Sequence, residues 1–225
     1  TEALELGAFD FVLKPEGDSP ATSRSKLKGD LLPKLKEFAD SRLRRNNAAK
    51  VRRVPQGNDA YQVTSASRAP EVIVMGASTG GPAAFNEILG AMPHDFPVPL
   101  VIAQPMPSVF TRALSESLSS NSALKVQEAE HGMPLATGHV YVCPGEKKTV
   151  ISRASSWKTF VVSEQTKRGR TVDELFESAA EVYGDRAIGA VLTGSGKDGL
   201  EGCRALKERK ALVLALDEPS CVVYE

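Results

Sequence analysis

The stretch Val72-Ile73-Val74-Met75-Gly76-Ala77-Ser78-Thr79-Gly80-Gly81 places a serine between glycines, directly after four apolar residues. A helical-looking segment follows. An apolar strand, a glycine turn and a helix together expose a serine hydroxyl at the carboxyl edge of a parallel sheet. The helix start also directs backbone N–H groups at developing negative charge. Gly76-x-Ser78-x-Gly80 therefore predicts a nucleophile elbow, with a tight turn that merely contains a serine as the alternative.

Strands and helices alternate regularly from this motif to the end of the chain. Together they predict an α/β fold, with a doubly wound, mostly parallel sheet and helices on both faces. A small β excursion at about 140–163 interrupts the alternation, and the capping box Thr171-x-x-Glu174 is expected to open one helix. The predicted strands are Val72–Met75, Val98–Ala103, Leu124–Ala129, Ile188–Leu192 and Ala211–Leu216, the excursion comprises Val140–Cys143, Thr149–Arg153 and Thr159–Ser163, and the helices are Pro82–Ala91, Phe110–Leu118, Thr171–Tyr183 and Leu200–Lys207.

The N-terminal third is organised differently. Phe9–Leu13 reads as a short strand that ends at Lys14-Pro15. A helix is predicted from Ser25 to about Arg44, with a kink or a late start at Pro33; its apolar face comprises Leu27, Leu31, Leu35 and Phe38. The polar stretch Arg42–Ala69 reads as a linker. These features divide the chain into a fragment (1–16), a helix with its linker (17–69) and a main domain (70–225).

Composition excludes several classes of function. Lys+Arg and Asp+Glu each number 28, so no net charge attracts nucleic acid or an anionic membrane. The three cysteines are scattered and odd in number, which is typical of buried thiols in a reducing cytoplasm and not of a disulfide framework or a metal site. No apolar run is long enough to span a bilayer. We expect a cytoplasmic protein with no metal, no cofactor, no nucleic-acid partner and no membrane insertion.

A second glycine-rich loop with candidate functional side chains is Thr193-Gly194-Ser195-Gly196-Lys197-Asp198-Gly199. Ligands bind beyond the carboxyl ends of parallel strands, so the loops at 76–81, 104–108 and 193–199 are expected to lie side by side. Asp198 is then placed to orient a catalytic base, or it serves only as a helix N-cap. The glycines Gly194, Gly196 and Gly199, with Asp217 ending the next strand, also match a dinucleotide-binding pattern. Its late place in the chain weakens that alternative.

Six motifs, in order, resemble those of the CheB-type chemotaxis methylesterases over residues 70 to 225. They are Gly76-Ala77-Ser78-Thr79-Gly80-Gly81, Gln104-x-Met106-Pro107 with Phe110-Thr111, Gly138-His139-Val140-Tyr141-Val142-Cys143-Pro144-Gly145, Val172-Asp173-x-Leu175-Phe176, Thr193-Gly194-x-Gly196-x-Asp198-Gly199 and Ser220-Cys221-Val222-Val223. Residues 1–16 resemble the end of a response-regulator receiver domain. On this resemblance the chain is an excerpt that lacks the phosphoacceptor aspartate upstream and the C-terminal end of the catalytic domain.

The resemblance implies a carboxylic ester hydrolase that removes methyl groups from receptor glutamates and deamidates receptor glutamines. Ser78 matches the nucleophile, and Asp198 matches the acid that orients a histidine. The implied partners are methyl-accepting chemotaxis receptors and, through the missing receiver, the chemotaxis histidine kinase.

One departure concerns the base itself. The family's histidine belongs between Gln104 and Met106, where this chain has Pro105. Proline has neither a titratable group nor a backbone N–H, so turnover is expected to be impaired, or the domain to be a catalytically dead receptor-binding relative. Among the other histidines, His94 is expected at the opposite edge of the sheet and His139 to be structural, which leaves His131 as the one substitute base that the topology allows. Ser195 departs from the family's usual methionine.

Overall fold

The computed structural model describes residues 8–15, 19–48, 68–154, 157–163 and 170–224. The first seven residues and most of the expected linker lie outside the described residues. The helices are α1 (Pro20–Ala48), α2 (Gly81–Gly90), α3 (Ser108–Asn121), α4 (Thr171–Tyr183) and α5 (Leu200–Glu208). The strands are β1 (Val72–Gly76), β2 (Leu100–Ala103), β3 (Lys125–Glu128), β4 (His139–Val142), β5 (Lys148–Ala154), β6 (Trp157–Ser163), β7 (Ala187–Val191) and β8 (Leu212–Ala215), with 3-10 turns at Gly184–Arg186 and Glu218–Ser220.

Six of these strands form one parallel sheet in the order β3-β4-β2-β1-β7-β8. The serine motif therefore follows a central strand. Gly76 at the end of β1 lies beside Ala103 of β2 and Val191 of β7. Because these three strands end at the same level, the loops that follow them start from one edge of the sheet, as the sequence predicts.

The two faces of the sheet are covered by different helices, which confirms the doubly wound fold. Alternate residues of a strand point to opposite faces. Val72 and Val74 of β1 pack in one core cluster with α4 and α5 residues such as Phe176 and Leu206. Met75 packs in the other cluster, with α2 and α3 residues such as Phe85.

The β excursion is smaller than predicted. β4 belongs to the main sheet, where it pairs in parallel with both β3 and β2. Only β5 and β6 form a separate antiparallel hairpin. The strands of the main sheet are predicted from their alternation with helices. Because no helix separates β3 from β4, the sequence pattern does not assign β4 to that sheet. The hairpin packs on α4: Ile151 N donates a hydrogen bond of 3.0 Å to Ser178 Oγ.

The N-terminal elements differ from the sequence expectation. The predicted strand at Phe9–Leu13 is absent, because a strand needs a hydrogen-bonding partner strand and the described residues give this segment none. Side chains anchor the segment instead, with Phe11 against Phe110 at a ring distance of 4.8 Å. Helix α1 begins at Pro20, where a missing N–H costs little, and continues through Pro33 to Ala48, past the expected start of the linker.

The hairpin is held to the core by Phe160, whose ring is fully buried and lies 5.0 Å from that of Tyr141. Replacing Phe160 with alanine is expected to lower the free energy of unfolding by about 3–5 kcal/mol, since a large cavity would open in the core. Val109→Ala is the control, because this side chain is 68% exposed and its truncation should change stability by less than about 0.5 kcal/mol. Urea unfolding measures both; equal stability of the two variants would contradict this packing.

Candidate active site

Ser78 stands in a turn whose backbone is held from three sides. Its N–H donates to Thr193 O at 2.9 Å, and its carbonyl accepts from Gly81 N at 2.9 Å. The same carbonyl accepts from Gln104 Nε2 at 3.1 Å. Gly80 has a φ of +84°, a left-handed conformation that favours glycine. The turn between β1 and α2 thus has the strand–serine–helix geometry of an elbow.

The second loop approaches this turn closely. A Cβ atom on Gly194 would lie 2.8 Å from Ser78 Cβ, so only glycine fits there. The hydroxyl of the buried Thr193 joins three segments: it donates to Thr79 O at 2.9 Å or Val223 O at 3.1 Å, and it accepts from Val223 N at 2.9 Å. These contacts fix the two loops against each other.

Asp198 is anchored by a helix on the far side of the site. Its carboxylate accepts hydrogen bonds from Val172 N at 3.1 Å and Asp173 N at 2.9 Å, in the first turn of α4. Burial raises the pKa of Asp198, and the bonds from those two backbone N–H groups oppose the rise. Asp198 therefore caps α4 and not α5, the helix that it precedes and whose N-cap position is Gly199.

Asp173 makes the reciprocal contact. Its Oδ1 accepts from Gly199 N at 2.9 Å and Gly202 N at 2.8 Å, at the start of α5. Arg170 Nε lies 3.8 Å from Asp173 Oδ2, so a positive charge balances a carboxylate that is only 5% exposed. The two helices are therefore cross-capped: Asp198, just before α5, caps α4, and Asp173, in the first turn of α4, caps α5.

The predicted capping box is not what starts α4. The helix spans Thr171–Tyr183 as expected, but Thr171 is already its first helical residue. Arg170 stands at the N-cap position and makes no side-chain cap bond. The cap comes from Asp198, which is distant in sequence, so a local pattern could not reveal it.

The three predicted site residues meet in one cavity. Ser78, Pro105 and Asp198 all line a cleft of about 350 Å³ at the carboxyl edge of the sheet, together with Ser195 and Lys197. A hydroxyl and a carboxylate thus share a cleft large enough for a small side chain. At position 105, which the resemblance assigns to the base, the cleft has only the apolar proline ring.

The histidines lie elsewhere. His131 is exposed and does not line this cavity. It follows β3, and two strands separate β3 from β1, which places it about 14 Å to the side. His94 lies near Gly138, at the amino ends of the strands. His139 Nδ1 is 2.9 Å from Thr137 O, and its ring stacks on Tyr141 at 5.9 Å, which fits a structural role.

The backbone amides that a dinucleotide phosphate would need in the glycine pattern are already hydrogen-bonded within the protein. Phosphate binding would need free N–H groups at the start of α5. The N–H groups of Gly199 and Gly202 already donate hydrogen bonds to Asp173 Oδ1. Asp217 is exposed, and Gly194 is required by its close approach to Ser78. In the described part of the chain, no group of three or more His, Cys, Asp or Glu side chains is arranged to hold a metal.

The N-terminal segments lie over the rim of the site. Glu37 of α1 accepts from Ser195 Oγ at 2.7 Å and from Thr79 Oγ1 at 3.1 Å. Asp10 is a second acceptor for Thr79, at 3.3 Å, and pairs with Lys34 of α1. Sequence reasoning missed these contacts, as it missed Asp173 and Thr193, because each joins residues far apart in the chain. None of the described helices is long and apolar enough to cross a membrane.

Comparison with known proteins gives a consistent result. The CheB methylesterase family model matches residues 73–225. A protein of Lawsonia intracellularis named protein-glutamate methylesterase/protein-glutamine glutaminase is 37% identical over 235 residues, covering 99% of this chain and 66% of its own length. One of Bordetella avium, with that name and the number 2, is 39% identical over 233 residues, covering 99% and 63%. This chain thus spans slightly less than two thirds of either relative.

A solved structure shares the fold. The crystal structure of the Thermotoga maritima CheB methylesterase catalytic domain superposes with a TM-score of 0.67 at 36% identity, over 70% of this chain and 85% of that one.

Substitutions at Asp173 separate its charge from its capping role. Asp173→Asn keeps Oδ1 and should keep α5 capped, whereas Asp173→Ala should cost about 1–2 kcal/mol of unfolding free energy because two amides lose their acceptor. In the asparagine variant the pKa of Asp198 should fall, since a neighbouring like charge is removed. Urea unfolding and carboxyl-carbon NMR titration measure the two effects. Equal destabilisation by both substitutions, or an unmoved pKa of Asp198, would contradict the cross-capping.

Proposed function

This chain belongs to the CheB methylesterase family, and on that premise we propose that it recognises methyl-accepting chemotaxis receptors through their glutamyl methyl esters and glutamines. The names of its relatives, protein-glutamate methylesterase and protein-glutamine glutaminase, support this substrate class. It would act as a cytoplasmic component of a two-component pathway. A receiver domain ahead of residue 16 would connect it to the chemotaxis histidine kinase.

The shared cleft of Ser78 and Asp198 is the single observation that supports the catalytic roles most directly. In the proposed reaction the Ser78 hydroxyl loses its proton, its oxygen attacks the ester carbonyl, and methoxide leaves as methanol once protonated. Water then releases glutamate from the acyl-enzyme. A base must take the serine proton and return it to the leaving group, and Asp198 would orient that base.

Pro105 occupies the position of that base, so we propose that turnover in this chain is strongly impaired. A serine hydroxyl is a weak nucleophile until a neighbouring group accepts its proton. Loss of the histidine from a serine triad costs on the order of 10^6 in turnover, and about 10^3 over water remains from the rest of the site.

A second candidate function follows from the same residue. A domain that keeps the cleft and loses the base would bind methylated receptors and release them unchanged. The intact backbone contacts around Ser78 favour this reading, because they come from Thr193, Gln104 and Gly81 and do not depend on position 105.

Restoring a base at position 105 should restore turnover. Pro105→His is expected to raise the rate of methanol release from methyl-labelled receptor by at least about 10^3-fold, since a base would then share the cleft with Ser78 and Asp198. Ser78→Ala combined with Pro105→His is the control and should return the rate to that of the wild type. A fully active wild type that Pro105→His leaves unchanged would show that the base lies elsewhere.

The remaining activity tests the one alternative base. His131→Ala is expected to leave the pH dependence of any residual hydrolysis unchanged, because His131 lies outside the cleft that holds Ser78. The pH–rate profiles of wild type and variant between pH 5 and 9 provide the comparison. Loss of a rise in rate near the pKa of histidine would instead identify His131 as the base.

A further inference from the structure

The carboxylate of Glu37 bridges the two loops of the active site. Its Oε1 accepts from Ser195 Oγ at 2.7 Å, and its Oε2 accepts from Thr79 Oγ1 at 3.1 Å. A hydroxyl–carboxylate distance of 2.7 Å is that of a strong, charge-assisted hydrogen bond. Thr79 has one hydroxyl proton, so Asp10 at 3.3 Å competes for it with Glu37.

The two hydroxyls are close to the proposed nucleophile. Thr79 follows Ser78 in the chain, and Ser195 follows Gly194, whose missing Cβ would come within 2.8 Å of Ser78 Cβ. Hydroxyl donors carry no charge, so they serve the carbonyl oxygen of an ester or an amide as well as a carboxylate. Glutamyl ester, glutamine and glutamate side chains all present such an oxygen on Cδ.

The carboxylate that accepts hydrogen bonds from these two hydroxyls belongs to helix α1. Lys34 and Glu37 are three residues apart and lie on the same face of α1, where Lys34 pairs with Asp10. Both are partly buried, whereas Leu31 and Leu35 are 37% and 51% exposed. Helix α1 therefore lies on the site by its charged face and presents a glutamyl side chain to it.

We propose that Thr79 and Ser195 form a subsite for the Cδ carbonyl group of a glutamyl side chain on a partner helix, and that Glu37 fills this subsite as an internal equivalent of the reaction product. The inference rests on the proposed function and adds to it the residues that select the side chain. A receptor helix would displace α1 and place its own ester, amide or carboxylate on the same two hydroxyls.

Competition between α1 and a peptide tests the subsite. The probe is a helical peptide with one central glutamyl methyl ester, and its dissociation constant is measured by calorimetry on the full 225-residue chain. Glu37→Ala should tighten binding about tenfold, because the internal competitor loses charged hydrogen bonds. Asp30→Ala, at an exposed residue of the same helix, is the matched control and should change nothing.

A second pair of variants tests the donor. In the Glu37→Ala background, Ser195→Ala should reverse most of the gain in affinity, whereas Ser195→Thr keeps a hydroxyl and should retain it. Hydrogen exchange of the 193–199 amides reports release of α1 without any peptide and should accelerate in Glu37→Ala.

The outcomes separate this inference from the proposed function. Peptide binding that is indifferent to Glu37 and Ser195 overturns the subsite and leaves receptor recognition standing. Unchanged exchange in Glu37→Ala also overturns the subsite. No binding of the peptide to any variant at millimolar concentration, with exchange showing α1 released, overturns both.

Discussion

Helices α4 and α5 are each capped by a carboxylate from beside the other helix, and this reciprocal capping determines the shape of the active site. Asp198, from the loop before α5, accepts the first-turn amides of α4, and Asp173, from α4, accepts the first amides of α5. Helix starts carry unpaired N–H groups and partial positive charge, so each carboxylate is both a hydrogen-bond acceptor and a counter-charge. Neither helix can shift without disturbing the cap of the other. Asp198 is thereby held at the edge of the sheet where the serine turn lies.

The serine turn is held by a separate set of contacts. Gln104 and Thr193 bond the backbone of Ser78, and the missing side chain of Gly194 allows the second loop to close on it. These contacts use backbone groups and neighbouring side chains, so the geometry of Ser78 does not depend on a catalytic base. A chain with Pro105 can therefore keep a well-formed hydroxyl and carboxylate in a cleft whose described lining includes no histidine.

Much of this arrangement was predictable from sequence, for identifiable reasons. Buried parallel strands give continuous apolar runs, and the glycine loops after β1 and β7 follow directly from them, so the sequence alone predicts that Ser78 and Asp198 lie at one edge of the sheet. Motifs in fixed order then identified the family. Three predictions from local sequence were wrong because the deciding contacts come from residues far away in the chain. They placed β4 in the excursion, predicted a strand at Phe9–Leu13 and assigned Thr171 as a helix cap. The contacts of Glu37 with Thr79 and Ser195 likewise span 42 and 158 residues.

The described lining of the cleft contains the Ser78 hydroxyl and the Asp198 carboxylate but no histidine, and we propose that turnover is impaired for this reason. A single-turnover experiment tests it most directly: wild-type chain in excess over methyl-labelled receptor, with methanol release followed from pH 5 to 9. We expect slow release without a titration step near neutral pH. Rapid release within one turnover, rising with a pKa near 7, would contradict it.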